Sequence, residues 1–195
     1  MTPEIKRTTN QYASEYGFFI GIIWIATFIC YSEGISNDNM GLLASCLIPA
    51  LLSIFIPMLL ALRINQKLFA IGERFGLGRA YLFSMSMFTF ASILSGVVNY
   101  AYLAFLNKGA LLNKLSAMFN DPNVMGVYRQ MGMEGQYREL MTAVNGLTPL
   151  DISLSLFSNG IMMGLIASIL LAVIASFDLN KINGEMASRN KKQDF

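Results

Sequence analysis

The chain has 195 residues, of which 54% are hydrophobic and only 13% charged, with a net charge of +2 and a mean hydropathy of +0.50. Soluble domains carry about 25% charged residues, so the composition excludes an ordinary soluble domain. Charge this close to balance leaves no electrostatic footprint for nucleic acid either. What remains is an integral membrane protein. A transmembrane β-barrel would show roughly ten-residue segments alternating polar with apolar, and the long apolar runs of this chain do not alternate. The expected class is all-α.

The first charge-free run, the shortest of four, lies between Glu15 and Glu33 and is read as a span over 16–32 that tilts or thins the bilayer to cross it. Lys6 and Arg7 precede it as they would in a signal peptide. However, no A-x-A-like site follows Phe28, and Thr27-Phe28-Ile29 before Cys30 is too bulky for lipoprotein cleavage, so an uncleaved anchor is expected. Gly17 and Gly21 form a small-residue pair at helical spacing, the device by which membrane helices approach closely.

The second run lies between Asp38 and Arg63 and gives a span over 40–62. Gly41, Ser45, Pro49, Ser53, Pro57 and Ala61 recur there every fourth residue. Each proline frees the carbonyl four residues back, at Ser45 and Ser53, so this span is expected to kink.

The connector that follows contains Gly72-Glu73-Arg74-Phe75-Gly76-Leu77-Gly78-Arg79. It fails as a nucleotide motif: a phosphate loop needs Gly-Lys-Ser/Thr at the helix start, and a dinucleotide fingerprint needs a third glycine where Tyr81 stands, after a strand. It reads instead as a turn whose glycines supply positive φ. Arg63, Lys67, Arg74 and Arg79 are then held at headgroup level, as contacts to lipid phosphate.

The third run, between Arg79 and Lys108, gives a span over 80–106. An outer helical insert over 107–150 follows. Leu111, Leu112, Leu115, Met118 and Phe119 keep helical spacing, Asn120-Asp121-Pro122-Asn123 breaks the chain with Asp121 as turn and cap, and Tyr137, Leu140, Met141 and Val144 make a second apolar stripe. Two amphipathic helices are expected. Between them the Met- and Gly-rich stretch 124–133 is either a shorter helix or an adaptable contact surface. The insert as a whole is either a cap over the bundle mouth or a surface for a partner.

The fourth run, between Asp151 and Asp178, gives a span over 152–177. Gly160, Gly164, Ser168, Ala172 and Ser176 line one face. Such a stripe serves packing inside the bundle or between copies, and internal packing is favoured because a four-helix bundle needs such faces itself. Asn99 in the third span and Asn159 in the fourth both fall about 10 to 12 Å below the outer surface at 1.5 Å per residue. They are expected to pair across the bundle as helix-packing residues, a bond of about 1 kcal/mol.

Lysines and arginines fix the orientation. Ten lie in the two tails and the connector after the second span, against four in the insert and none in the loop over 33–39. With acids included, the two sides carry net charges of +4 and −2. The positive-inside rule puts both termini in the cytoplasm and the insert outside. There is no histidine, and the read spans hold no Asp, Glu, Lys or Arg, so coupled transport and intramembrane acid–base catalysis are not expected. Cys30 and Cys46 are read as buried, inert thiols. No catalytic, cofactor or metal residues emerge.

Arg74-Phe75-Gly76-Leu77-Gly78-Arg79-Ala80 leading into the third span, Gly132-Met133-Glu134-Gly135-Gln136-Tyr137 in the insert and the glycine-rich last span with its basic tail together resemble a family of small four-helix inner-membrane proteins of Bacteroidota, catalogued only as a domain of unknown function. The resemblance covers nearly the whole chain and implies fold and location. It carries no catalytic residues over. It further implies a partner, since genes of that family often lie beside a polyprenyl-phosphate glycosyltransferase. The insert here is nearly neutral where the family's is typically acidic. The expected function is a non-enzymatic accessory or scaffold subunit of an inner-membrane complex, made with another membrane protein or by self-association. The alternative is a lipid-handling protein that presents a polyprenyl-phosphate carrier at the inner face.

Overall fold

The computed structural model describes residues 3–70 and 76–176, with side chains over 9–66 and 76–174. Every regular element among the described residues is a helix: α1 (Pro3–Ser36), α2 (Met40–Ser45), α3 (Leu47–Ala70), α4 (Leu77–Ala101), α5 (Ala110–Phe119), α6 (Pro122–Gln130), α7 (Glu134–Asn145) and α8 (Pro149–Ser176), with a π-helical turn, Tyr102–Leu106, continuing α4. Four stretches are long and apolar enough to cross a membrane, namely Thr9–Ser36, Met40–Gln66, Leu77–Leu106 and Pro149–Ile174. Each agrees in place with an expected span. The first, third and fourth begin several residues earlier, because a helix continues into its polar flanks. Glu15 and Glu33 are therefore inside the first spanning helix, at its two ends, rather than beyond it.

Helix α4 is the central element: 44% of its apolar window is buried, against 11% for α2–α3. Packing on α4 explains the small residues. A Cβ placed on Gly17 would lie 2.5 Å from the Met87 carbonyl oxygen, and one on Gly21 would lie 2.9 Å from the Leu94 side chain. On the other flank a Cβ on Gly160 would meet Ser92 Oγ at 2.5 Å, and one on Gly164 would meet Phe88 Cβ at 2.6 Å. Ser168 and Ala172 continue the same buried stripe. The glycines of α1 and α8 thus face α4 within one chain. Trp24 stacks on Phe88 with ring centroids 6.1 Å apart, joining all three helices at mid-height.

The arm α2–α3 stands to the side. It breaks at Cys46, between α2 and α3, where the Pro49 ring denies the Ser45 carbonyl its helical donor. Cys46 N–H still donates to Leu42 O and Ala50 N–H to Cys46 O, at 3.2 and 3.1 Å. Pro57 and Ala61 are buried against the bundle, while Leu47, Ile48, Ile54 and Phe55 are exposed to the surroundings. That is the pattern of a lipid-facing helix.

At Gly76 and Gly78 the connector departs from the expected turn. Gly76 is the N-cap of α4 with φ −63°, and Gly78 and Arg79 are in the first helical turn, so neither glycine supplies positive φ. Gly72, Glu73, Arg74 and Phe75 lie outside the described residues. Positive φ at glycine occurs instead in the insert, at Gly109 (83°) and Gly132 (69°), where the chain turns into α5 and leaves α6. The insert holds three helices, the Met- and Gly-rich stretch falling largely in the short α6. Asp121 caps α6 by accepting from Asn123 N–H at 2.8 Å, and Pro122 at the first position needs no donor. The Tyr137 hydroxyl donates to Phe119 O at 2.8 Å and ties α7 to the end of α5. Leu111 and Leu115 of α5 pack with Tyr102, Leu103, Phe28 and Ile152, so α5 docks on its own bundle.

Candidate functional site

The basic positions do not assemble into a described cluster. Arg63 is exposed near the end of α3 and borders a cavity of about 460 Å³ lined also by Ile56, Leu59 and Gln66. Arg79 is half-buried at the start of α4. Lys67 is on α3, but its side chain lies outside the described residues, as does Arg74 entirely. The connection between α3 and α4 puts Arg63 and Arg79 toward the same end of the bundle.

At the opposite end, four polar side chains that sequence reasoning overlooked meet in one knot. The Tyr102 hydroxyl donates to the Glu33 carboxylate and lies 3.3 Å from Ser32 Oγ. Asn107 donates from Nδ2 to the Tyr102 oxygen at 3.3 Å and to Ser32 Oγ at 3.4 Å. Its Oδ1 accepts the Leu111 N–H at 2.8 Å. The π-turn makes this possible: its i→i+5 bond, Asn107 N–H to Tyr102 O at 2.9 Å, widens the helix so that residues five apart face the same neighbour. Asp38 and Lys114 form an ion pair beside it. The knot joins the ends of α1, α4 and the insert. Ser32 and Glu33 are 70 and 69 positions from Tyr102 in the chain, so no local pattern announces the knot.

The two membrane asparagines behave differently from expectation. They do not pair. Asn99 is buried, and its Nδ2 donates to Ser95 Oγ at 3.2 Å, one turn earlier on α4. Its Oδ1 has no partner. An unsatisfied buried amide oxygen costs about 1–3 kcal/mol. Asn159 is exposed on the outer surface of α8, with Ser155 and Ser158 exposed beside it. The reason is angular. Successive residues of a helix are set about 100° apart, so when Gly160 and Gly164 turn toward α4, Asn159 is carried away from it. Nor are the two level: Gly160 meets Ser92 while Gly96 meets Phe157 and Ser153, so Asn159 is opposite Ser92 and Ile93, about 9 Å deeper than Asn99 at 1.5 Å per residue.

Cys30 and Cys46 are both free thiols. Among the described residues, no three histidine, cysteine, aspartate or glutamate side chains are grouped to hold a metal.

Four long apolar helices, close packing through glycine and an apolar outer surface define a multi-pass helical membrane protein. The chain belongs to DUF4199, a family of proteins of unknown function, whose model matches residues 15–176. No curated protein and no solved structure matches the chain significantly.

Proposed function

We propose that this protein is a non-enzymatic accessory or scaffold subunit of a complex in a bacterial cytoplasmic membrane, with both termini in the cytoplasm and the insert outside. The observation that supports it is Asn159. The side chain is exposed ten residues into α8, which begins at Pro149, about 15 Å along the helix axis at 1.5 Å per residue. Counted from Asp151, the last charged residue before the span, the depth is about 12 Å, well inside a hydrocarbon core about 30 Å thick. A primary amide facing lipid there leaves two donors and an acceptor unsatisfied, whereas one facing another helix gains an interhelical bond of about 1 kcal/mol. Ser155 and Ser158 widen the same polar strip, and small hydroxyl side chains let a second backbone come close. A neighbouring membrane helix, from another protein or a second copy, satisfies all three. A polyprenyl-phosphate glycosyltransferase is one such neighbour. The orientation rests on the ten basic residues of the tails and connector against four in the insert.

Purification from native membranes in a mild detergent tests this reading. The wild-type chain is expected to travel as a defined complex, and Asn159→Leu, which keeps size but removes the amide, is expected to release the monomer with its helix content unchanged. A wild-type chain that is already monomeric overturns it.

A second reading has one observation in its favour. Arg63 borders an apolar cavity at the connector end of the bundle, an arrangement suited to a lipid phosphate gripped by charge-assisted bonds. Replacing Arg63, Lys67, Arg74 and Arg79 by glutamine is then expected to abolish binding of a polyprenyl-phosphate carrier without loss of fold. Unchanged binding removes that reading.

A further inference from the structure

Asn99 faces a different environment from Asn159. Between α1, the α2–α3 arm, α4 and α8 lies a cavity of about 660 Å³, well inside the range of roughly 300 to 1,000 Å³ seen for small-molecule sites. Trp24, Phe28, Leu47 and Leu156 contribute apolar walls, Thr27, Tyr31, Ser53, Ser95 and Asn99 bring polar groups, and no charged side chain lines it. Loose packing of the kinked arm against a tightly packed α1–α4–α8 core leaves this space open.

Asn99 is 1% exposed. One side of its amide is taken by Ser95 Oγ and the other is unpartnered. Exchanging the amide oxygen and nitrogen changes which group is left over but not the fact of it, because the Ser95 hydroxyl serves as donor or acceptor. The complementary group is therefore one that both donates and accepts, which a hydroxyl does. A trapped water needs two to four polar partners; Asn99 and Ser95 can hold one, but a single water leaves most of a space of about 660 Å³ between apolar walls unfilled. A phosphate or ammonium headgroup finds no counter-charge in the lining.

The depth is also informative. Asn99 precedes Tyr102 by three residues, about 4.5 Å along the helix, and Tyr31 lines the same cavity from α1. Tyrosines gather at the headgroup boundary, so the amide is about one turn beneath it. Ser53 lies seven residues beyond Cys46 on the other wall, roughly 10 Å deeper. An amphiphile entering from the insert-side leaflet would bring its hydroxyl to Asn99 and its chain down toward Ser53.

We propose that this cavity binds a lipid alcohol, its hydrocarbon chain against Trp24, Phe28 and Leu47 and its neutral hydroxyl on the Asn99 amide. The site is separate from the Asn159 face and does not depend on a partner protein.

The test uses the full chain reconstituted in phosphatidylcholine vesicles and three photoreactive probes of equal chain length: hexadecanol, hexadecyl phosphate and hexadecane. Hexadecanol is expected to label peptides containing Trp24 to Tyr31 and Leu47 to Ser53, and to be displaced by excess unlabelled hexadecanol. Asn99→Leu is expected to weaken its binding about fivefold, the equivalent of one lost hydrogen bond. Ala50→Trp, which fills the cavity from the α3 wall without touching the amide, is expected to abolish labelling. The proposal is overturned if hexadecane labels as well as hexadecanol, if hexadecyl phosphate is preferred, or if none of the probes labels these peptides. Should Asn99→Leu fail to fold, Ala50→Trp and the preference among probes in the wild-type chain decide the question.

Discussion

A glycine lowers helix stability unless something arrives where its side chain would be. At Gly17 that arrival is the Met87 carbonyl oxygen, 2.5 Å from the added Cβ, and backbone does not yield as a side-chain tip does. Gly17→Ala is expected to destabilise the bundle by about 1–3 kcal/mol, read by unfolding in mixed micelles. Gly126→Ala, where nothing lies within 4 Å of the Cβ, should leave stability unchanged or slightly raised. The Tyr102 hydroxyl holds Glu33 and Asn107 together, so Tyr102→Phe is expected to cost about 1–3 kcal/mol in the same assay. At this scale the four-residue spacing of Gly160, Gly164 and Ser168 was legible, because a repeat of four stays on one face. The pairing of Asn99 with Asn159 was not. Counting from the span ends misses how α8 is staggered against α4, where Gly160 meets Ser92 and Gly96 meets Phe157, and azimuth depends on which stripe makes the close contact, which on α8 is the glycines.

Among the elements, the Asp121 cap and the proline chemistry were readable, whereas the cap of α8 went unread and helical pitch was not encoded locally. Thr148 and Asp151 close the start of α8 reciprocally: Thr148 N–H donates to Asp151 Oδ2 at 2.9 Å and Asp151 N–H to Thr148 Oγ1 at 3.2 Å, a capping box with Pro149 at the first position. Thr148→Ala is expected to cost about 1 kcal/mol and to speed hydrogen exchange in the first turn of α8 while leaving α4 unaffected. Pro49 marked the break in the second spanning segment, since a missing donor is written in the residue itself. The π-turn at Tyr102–Leu106 has no such signature. It exists because Tyr102 and Asn107 both reach the end of α1, a tertiary demand that residue type alone does not encode. The third insert helix was left open for a related reason: in 124–133 glycine and methionine neither break a helix firmly nor give it a strong apolar face.

For the whole molecule, composition and charge-free runs were enough to give the class and the number of spans, because the bilayer imposes length and apolarity on every crossing. The partition of charge predicts the sidedness. In a chain whose Cys30 and Cys46 are replaced by alanine, Gly132→Cys is expected to react with a membrane-impermeant maleimide from the outside of intact cells, and Arg189→Cys to react after lysis alone. The reverse pattern would invert the proposed orientation. Function was the least legible level: the features that motivate a role, an amide turned outward and another at a cavity, become visible when the helices are packed.

The central claim is that the Asn159 face of α8 is a contact between subunits. Site-specific photocrosslinking from Ser155 in native membranes tests it most directly, with Ile54 on the lipid-facing surface of α3 as the comparison. A discrete protein adduct from Ser155, lost when Asn159→Leu is added and absent from Ile54, is the predicted result. Lipid adducts alone from both positions would contradict it.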